Sequence, residues 1–169
     1  DMDYRSDSFP ILIDFLSYHE NIKSHSKLTV DEYYLDLRNF FKYLKRNKDI
    51  KLKNIPLDEI SIADIDLDFI KNVTLTDVYQ YMNYLNRDKP VHKNSRHTEY
   101  GLTASTRARK IAAIKSFYKY LVVKAGLLEH NPVQDLDSPK LKKSLPKYLT
   151  LDESVNLLTS VDGKFKERD

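Results

Sequence analysis

The sequence contains no cysteine among its 169 residues, which excludes disulfides, thiol nucleophiles and cysteine-based zinc sites and is typical of a reducing compartment. Glycine is almost as scarce, and three residues are too few for a phosphate-binding loop of the nucleotide-binding kind or for many tight hairpins. No apolar run approaches the roughly 18 residues of a membrane span, and the acidic start Asp1–Asp7 is unlike a secretory signal. We therefore expect a globular, mostly helical chain.

Apolar residues recur at steps of three and four in several stretches, which is the pattern of amphipathic helices. The pattern predicts an all-α fold, a compact bundle of four to five helices, with helices over residues 9–21, 29–48, 75–85 and 103–125. Acidic and apolar residues alternate between Ile60 and Ile70, and we interpret that stretch as a loop or a short helix rather than a strand. Residues 86–100 lack periodicity and are predicted to form a loop, and Gly126 is expected to stop the last long helix.

The last part of the sequence predicts a linker and the start of a further domain. Two prolines and four lysines within residues 137–147 favour an extended basic segment. Thr150 and Glu153 have the spacing of a capping box and predict a short helix there. We therefore expect a helical domain over 1–136, a basic linker over 137–147, and the truncated start of a further domain over 148–169.

Charge is distributed unevenly along the chain. Residues 1–72 hold 11 Lys and Arg against 14 Asp and Glu, whereas residues 87–147 hold 14 against 5 and carry a net charge of +9. A basic block of this size favours a polyanionic partner, although a solvated lysine-rich surface has the same composition.

The start of the helix near residue 103 combines hydroxyl and cationic side chains, with Ser105 and Thr106 as the expected cap. Hydroxyls and free N–H groups at a helix N-terminus bind phosphate, and an arginine there can reach base edges. Capping alone does not explain three cations in the first turns, since the helix dipole disfavours them. The start of the helix near residue 29 offers the same chemistry more weakly. The predicted DNA contacts are Ser26, Lys27, Thr29, Ser105, Thr106, Arg107, Arg109, Lys110, Lys115, Lys119, Lys140, Lys142, Lys143 and Lys147.

Arg109 is the expected base-reading residue of this set. On a helical wheel it lies opposite the apolar face that includes Ile114 and Phe117. We therefore expect its side chain to be exposed, to pair with guanine, and to contribute little to folding.

Two of the predicted helices share a pattern at one constant offset. The stretch Phe40–Leu44 (FFKYL) matches Phe117–Leu121 (FYKYL), and the same offset aligns Thr29 with Thr106. Either the two helices have a common role, or amphipathic helices of one composition resemble each other by chance.

No catalytic or metal-binding pattern is recognisable. The five histidines lack the spacing of metal ligands, although His92 and His97 share the predicted loop. The acidic residues between Asp58 and Asp68 lack the glycine and spacing of a calcium loop, and we interpret them as helix caps and a solvated face. We expect no metal, no cofactor and no small-molecule substrate.

The order of these motifs resembles the core-binding domain of tyrosine recombinases, the Xer and phage-integrase family. The resemblance rests on Ser26-x-x-Thr29-x-x-x-Tyr33 and on residues 105–121. It continues with Gly126-Leu127-Leu128, Asn131-Pro132, Pro139-Lys140 and Leu145-Pro146, a succession that the family shows where its two domains join. The resemblance covers nearly the whole chain.

The resemblance implies a small helical SAM-like domain that clamps double-stranded DNA together with a catalytic domain and with other protomers of the same recombinase. The family cuts DNA through a tyrosine, without metal or nucleotide, and its catalytic residues follow the part that this chain resembles. We therefore expect no catalytic activity from the chain itself, and a place on the nucleoid in the bacterial cytoplasm, away from membranes. DNA contacts are implied for Ser26, Thr29, Ser105, Thr106 and Arg109.

One departure from the family pattern concerns the second predicted helix. Asp31 and Glu32 are expected in its first turn, where cations would help, which argues against base reading by that helix. Two other classes of function remain open: a freestanding helical DNA-binding regulator, and a helical protein-interaction module whose basic patch is incidental.

Overall fold

The computed structural model describes residues 3–4, 6–87 and 103–138, and five α-helices make up most of this described part of the chain. They are α1 (Pro10–Asn21), α2 (Lys27–Lys48), α3 (Leu67–Lys71), α4 (Leu75–Arg87) and α5 (Ala104–Lys119). Short 3-10 turns at Ile50–Leu52 and Leu57–Glu59 lie between α2 and α3, and α5 continues into a π-helical turn at Tyr120–Lys124. No strand occurs within the described ranges, so the predicted all-α class is confirmed, as is the loop with a short helix between Ile60 and Ile70.

Several helices begin or end at residues that favour a helix terminus. Pro10 occupies the first position of α1, where its missing N–H costs nothing. The Thr74 hydroxyl accepts from the Asp77 amide at 3.1 Å and the Asp77 carboxylate accepts from the Thr74 amide at 3.0 Å, which caps α4. Gly126 has a φ of 64° and ends the helical run, as predicted.

The structure corrects one predicted helix start and one predicted helix cap. Helix α2 begins at Lys27, ahead of the predicted start at Thr29, so Asp31 and Glu32 lie in its second turn and not in its first. Helix α5 has Thr103 as its N-cap, whereas the sequence predicted Ser105 and Thr106 as the cap. Helix α4 extends to Arg87, so Asn86 and Arg87 are helical and not part of the predicted loop 86–100. The rest of that loop, the predicted linker beyond Ser138 and the helix near residue 150 lie outside the described residues.

The core is built largely from aromatic rings. The Phe117 ring of α5 lies edge-on to Phe15 of α1 at 5.4 Å and to Phe41 of α2 at 5.6 Å, and all three side chains are fully buried. The Tyr118 hydroxyl donates to the Ile70 carbonyl at 2.7 Å, which joins α5 to α3. Helix α2 packs against α1, α4 and α5 and is therefore the central helix of the bundle. None of the described helices is long and apolar enough to span a membrane.

The pattern that aligns Phe40 with Phe117 is also a structural repeat. Ser26 and Thr103 are the N-caps of α2 and α5, and they are separated by the same offset. Four aligned pairs of apolar side chains are buried, the last of them reaching into the π-helical turn: Leu37 and Ile114, Phe40 and Phe117, Phe41 and Tyr118, Leu44 and Leu121. The two helices thus match in their caps as well as in their buried faces.

Candidate nucleic-acid interface

Helices α2 and α5 begin with the same arrangement of hydroxyl side chains. The Ser26 hydroxyl accepts a hydrogen bond from the Thr29 amide at 3.1 Å and lies 2.9 Å from the Thr29 hydroxyl. The Thr103 hydroxyl accepts from the Thr106 amide at 3.2 Å and donates to the Thr106 hydroxyl at 2.9 Å. A helix start has four N–H groups without an intrahelical partner, and the dipole favours an anion there. We call residues 26–29 and 103–106 the twin-cap surface.

An ion pair connects the two helices close to their caps. Arg109 Nη1 lies 3.0 Å from Glu32 Oε2, and each of these residues comes three positions after the threonine that the N-cap hydroxyl contacts, Thr106 or Thr29. Both side chains are partly exposed, at 41% for Arg109 and 36% for Glu32. The pair therefore places both helix starts in one part of the surface.

Behind this ion pair lies a buried carboxylate, Asp36 of α2, whose side chain is 2% exposed. Arg109 donates to it through Nε and Nη2, each at 3.0 Å, and Lys110 Nζ donates to it at 2.9 Å. The hydrogen bond and charge of Asp36 raise the pKa of Arg109, with a smaller contribution from Glu32. One buried acid thus joins two consecutive cations of α5 to the middle of α2.

The Arg109 side chain is exposed, as expected, but it also makes contacts with the fold that the sequence does not reveal. Its backbone position is peripheral, as the helical wheel indicates, but its long side chain reaches Asp36 on the neighbouring helix. The side chain of Lys110 is 10% exposed and holds the same carboxylate, so in this arrangement it is a structural cation and not a surface contact. The excess of cations at the start of α5, taken from the sequence as a sign of an external anion, has an internal anionic partner in Asp36.

A groove of about 470 Å³ runs beside the start of α2. Its walls come from the end of α1, from His25 and Tyr33, and from the end of α5 with its π-helical turn. Three lysines line it: Lys23, Lys119 and Lys124. The groove therefore adds positive charge next to the α2 start of the twin-cap surface, and it lies at the opposite end of α5 from Thr103.

Two histidines meet in this groove. The Nδ1 atoms of His19 and His25 lie 3.2 Å apart, and His19 is buried against the Phe15 ring. Burial, which is the largest cause, and electrostatic interactions with His25 and Lys23 together lower the pKa of His19 to about 4. Within the described ranges, no three His, Asp or Glu side chains come together as metal ligands would.

The remaining sequence-predicted residues lie at different distances from these features. Lys27 and Ser105 are exposed on the twin-cap surface, and Arg107 follows it within one turn. Lys115 Nζ lies 3.3 Å from the hydroxyl of Ser138, which belongs to the segment that follows the π-helical turn. Four predicted contacts fall outside the described residues, namely Lys140, Lys142, Lys143 and Lys147.

Sequence reasoning missed four residues that shape this surface. Thr103 differs from Ser105 and Thr106 only in position, and its alignment with Ser26 in the repeat was the signal that could have identified it. Lys23 and Lys124 lie in segments without a motif, and only the fold brings them to one groove. Asp36 is distant from Arg109 in the sequence and lies on another helix, so no local pattern reveals their contact.

Comparison with known proteins finds relatives that are named as tyrosine recombinases. The chain is 43% identical over 160 residues to a protein called tyrosine recombinase XerC from Caldanaerobacter subterraneus subsp. tengcongensis. It is 31% identical over 155 residues to a protein of the same name from Myxococcus xanthus, and 24% identical over 153 residues to a tyrosine recombinase from Thermosipho africanus.

These alignments cover 95%, 92% and 90% of the chain but 42%, 41% and 42% of the relatives. The chain therefore spans about two fifths of the length of the curated relatives that it matches. No family model and no solved structure matches it.

Proposed function

The chain belongs to the tyrosine recombinase family, matching the N-terminal region of its members, and we propose that it is the DNA-binding part of a site-specific recombinase. In this proposal it grips duplex DNA alongside other protomers, in the bacterial cytoplasm, while residues beyond this region cut and rejoin the strands. The chain itself supplies binding and no catalytic group.

The observation that carries the proposal is the twin-cap surface. Two helix starts with the same hydroxyl arrangement lie in one part of the surface, joined through Glu32 and Arg109. Each start offers N–H groups and hydroxyls, the donors that hold phosphate oxygens in protein–DNA complexes. Two such starts suit two phosphates of a duplex better than they suit an apolar protein partner.

Cations around this surface support the same proposal. Lys119, Lys23 and Lys124 line the adjacent groove, and Lys27 and Arg107 belong to the helix starts themselves. Contacts of this kind set affinity and register without reading sequence. We assign phosphate contacts to Ser26, Lys27, Thr29, Ser105, Thr106, Arg107, Lys115 and Lys119, and extend them to Lys140, Lys142, Lys143 and Lys147.

Replacing Ser105 with aspartate separates DNA binding from folding. Ser105 is the second residue of α5, where a negative charge interacts favourably with the helix dipole but repels a phosphate. We expect the melting temperature to stay equal or rise slightly, while the affinity for a fluorescein-labelled random-sequence duplex falls by about tenfold, or about 1.4 kcal/mol. Fluorescence anisotropy titration at fixed salt measures the affinity.

Thr76→Asp is the matched control. Thr76 is also the exposed second residue of its helix, α4, and Lys48 at the far end of α2 pairs with Asp77 one position later at 3.1 Å. This substitution adds the same charge at the end of the bundle remote from Ser26, so duplex affinity is expected to change by less than about twofold. Equal losses in both variants, or no loss for Ser105→Asp, would remove the twin-cap surface from the DNA interface.

A further inference from the structure

On the premise that the chain binds DNA as proposed, we infer that Arg109 binds a DNA phosphate and that Asp36 holds its guanidinium in position. In the absence of DNA, Glu32 occupies the outer edge of that guanidinium.

The guanidinium of Arg109 has two differently used edges. The Nε and Nη2 atoms face Asp36 in a bidentate arrangement, each at 3.0 Å, and this carboxylate is buried. A two-point contact fixes the plane of a guanidinium as well as its place. Asp36 therefore acts as a positioning residue for Arg109.

The opposite edge points to the surface. Nη1 lies 3.0 Å from Glu32 Oε2, and 41% of the Arg109 side chain is exposed. A guanidinium carries five N–H donors, of which the two contacts to Asp36 and the one to Glu32 use three. The outer edge thus presents an oriented cation with spare donors beside both helix caps.

Glu32 has the properties of an exchangeable occupant. Its side chain is 36% exposed, and its carboxylate oxygens match the charge and hydrogen-bonding capacity of phosphate oxygens. An exposed ion pair contributes little free energy, whereas the contact of Arg109 with buried Asp36 is well shielded from water. A DNA phosphate can therefore replace Glu32 without disturbing Asp36.

The arrangement explains how Arg109 can serve both the fold and the DNA. Asp36 accepts hydrogen bonds from Arg109 and Lys110. Lys110 therefore continues to compensate the negative charge of Asp36 when Arg109 also contacts a phosphate. The same geometry directs Arg109 to the phosphate backbone at the caps and replaces the base-reading role predicted from the sequence.

Glu32→Gln tests the inference by a gain of binding. Without its negative charge, residue 32 competes less for Arg109 and repels phosphate less, so affinity for a random-sequence duplex is expected to rise by about fivefold at low salt. Glu59→Gln is the control, because Glu59 is exposed beside the C-terminal half of α2, next to the Asp58 carbonyl that Lys42 contacts. We expect it to leave affinity unchanged.

A second background distinguishes competition for Arg109 from a general loss of negative charge. In Arg109→Gln, the gain produced by Glu32→Gln is expected to shrink to less than about twofold, because no guanidinium remains to be released. The Nε–H resonance of Arg109 in the unmodified chain provides a readout that needs no variant. It is expected to keep its chemical shift when duplex is added, while the Nη resonances move.

The outcomes separate the inference from the proposed function. If the unmodified chain does not bind duplex at all, the proposed function fails. If it binds, but Glu32→Gln behaves like Glu59→Gln, or the gain is the same in the Arg109→Gln background, the inference is wrong while DNA binding stands. A change in the Nε–H chemical shift of Arg109 when duplex is added would contradict the positioning role of Asp36.

Discussion

Asp36→Ala is expected to lower the free energy of unfolding by about 3–5 kcal/mol, the usual effect of removing one partner from a buried charge cluster. The substitution leaves the Lys110 ammonium, whose side chain is 10% exposed, without the carboxylate it now contacts at 2.9 Å. It also frees Arg109, but that side chain is exposed enough to recover water. Most of the loss therefore comes from Lys110, and urea unfolding followed by circular dichroism measures it.

A double variant and a matched control sharpen this expectation. Adding Lys110→Met to Asp36→Ala removes the buried charge and is expected to recover more than half of the lost stability. Asp64→Ala breaks the pair with Lys45, in which the Asp64 side chain is 73% exposed, and is expected to cost less than about 1 kcal/mol. Similar losses for Asp36→Ala and Asp64→Ala would show that burial of Asp36 does not govern the stability of the bundle.

Acidification from pH 7 to pH 5 is expected to cost about 2 kcal/mol of stability through His19. The pKa of His19 is lowered to about 4 in the folded chain, against an ordinary value of 6.5. At pH 5 the unfolded chain therefore binds a proton that the folded chain does not, so the free energy of unfolding falls as the pH drops below the ordinary pKa. The groups facing His19 are His25, Lys23 and the rings of Phe15, Tyr18 and Tyr33.

His19→Gln is the variant that isolates this effect, with His130→Gln as its control. The introduced amide cannot take up the proton. The loss of unfolding free energy between pH 7 and pH 5 should therefore be about 2 kcal/mol smaller in His19→Gln than in the unmodified chain. His130 is exposed in the segment that follows the π-helical turn, and its replacement should leave the slope unchanged. Unfolding in urea at a series of pH values measures the slopes, and parallel curves for the unmodified chain and His19→Gln would contradict the role of His19.

The fold could be predicted from the sequence because its signals are local. Three- and four-residue spacing identified the long helices, and Gly126 marked the end of the last helical run through its positive φ. The periodicity predicts a start of α2 slightly later than the observed one, because Ser26 caps the helix ahead of the first periodic apolar residue. The repeat was visible in the aromatic motif of both helices, but its extension to the caps needed the structure.

The site was less predictable because its contacts join distant parts of the chain. A helical wheel places the Cα of Arg109 correctly but says nothing about how far a guanidinium reaches, and Asp36 lies on another helix. The same limit hid the His19–His25 contact, which depends on the turn between α1 and α2. Charge counts found the basic segment of the chain and could not show that buried Asp36 neutralises part of it.

Another surface offers the clearest alternative place for DNA. A groove of about 770 Å³ lies at the far end of α2, lined by residues that include Arg46, Lys53 and Tyr84, with the Arg46 guanidinium 5.8 Å from the centre of the Tyr84 ring. It is basic and aromatic, but among the residues that the structure describes, its lining includes neither of the two hydroxyl-capped starts of α2 and α5. A direct map of the DNA-bound residues distinguishes the two surfaces.

That map is a titration of the ¹⁵N-labelled chain with a random-sequence duplex, followed through its backbone amide resonances. Binding of DNA at the twin-cap surface predicts the largest shifts at residues 26–29 and 103–107, with smaller ones along the groove at Lys119. Shifts confined to Arg46, Lys53 and Tyr84, with the amides of both helix starts unchanged, would contradict it.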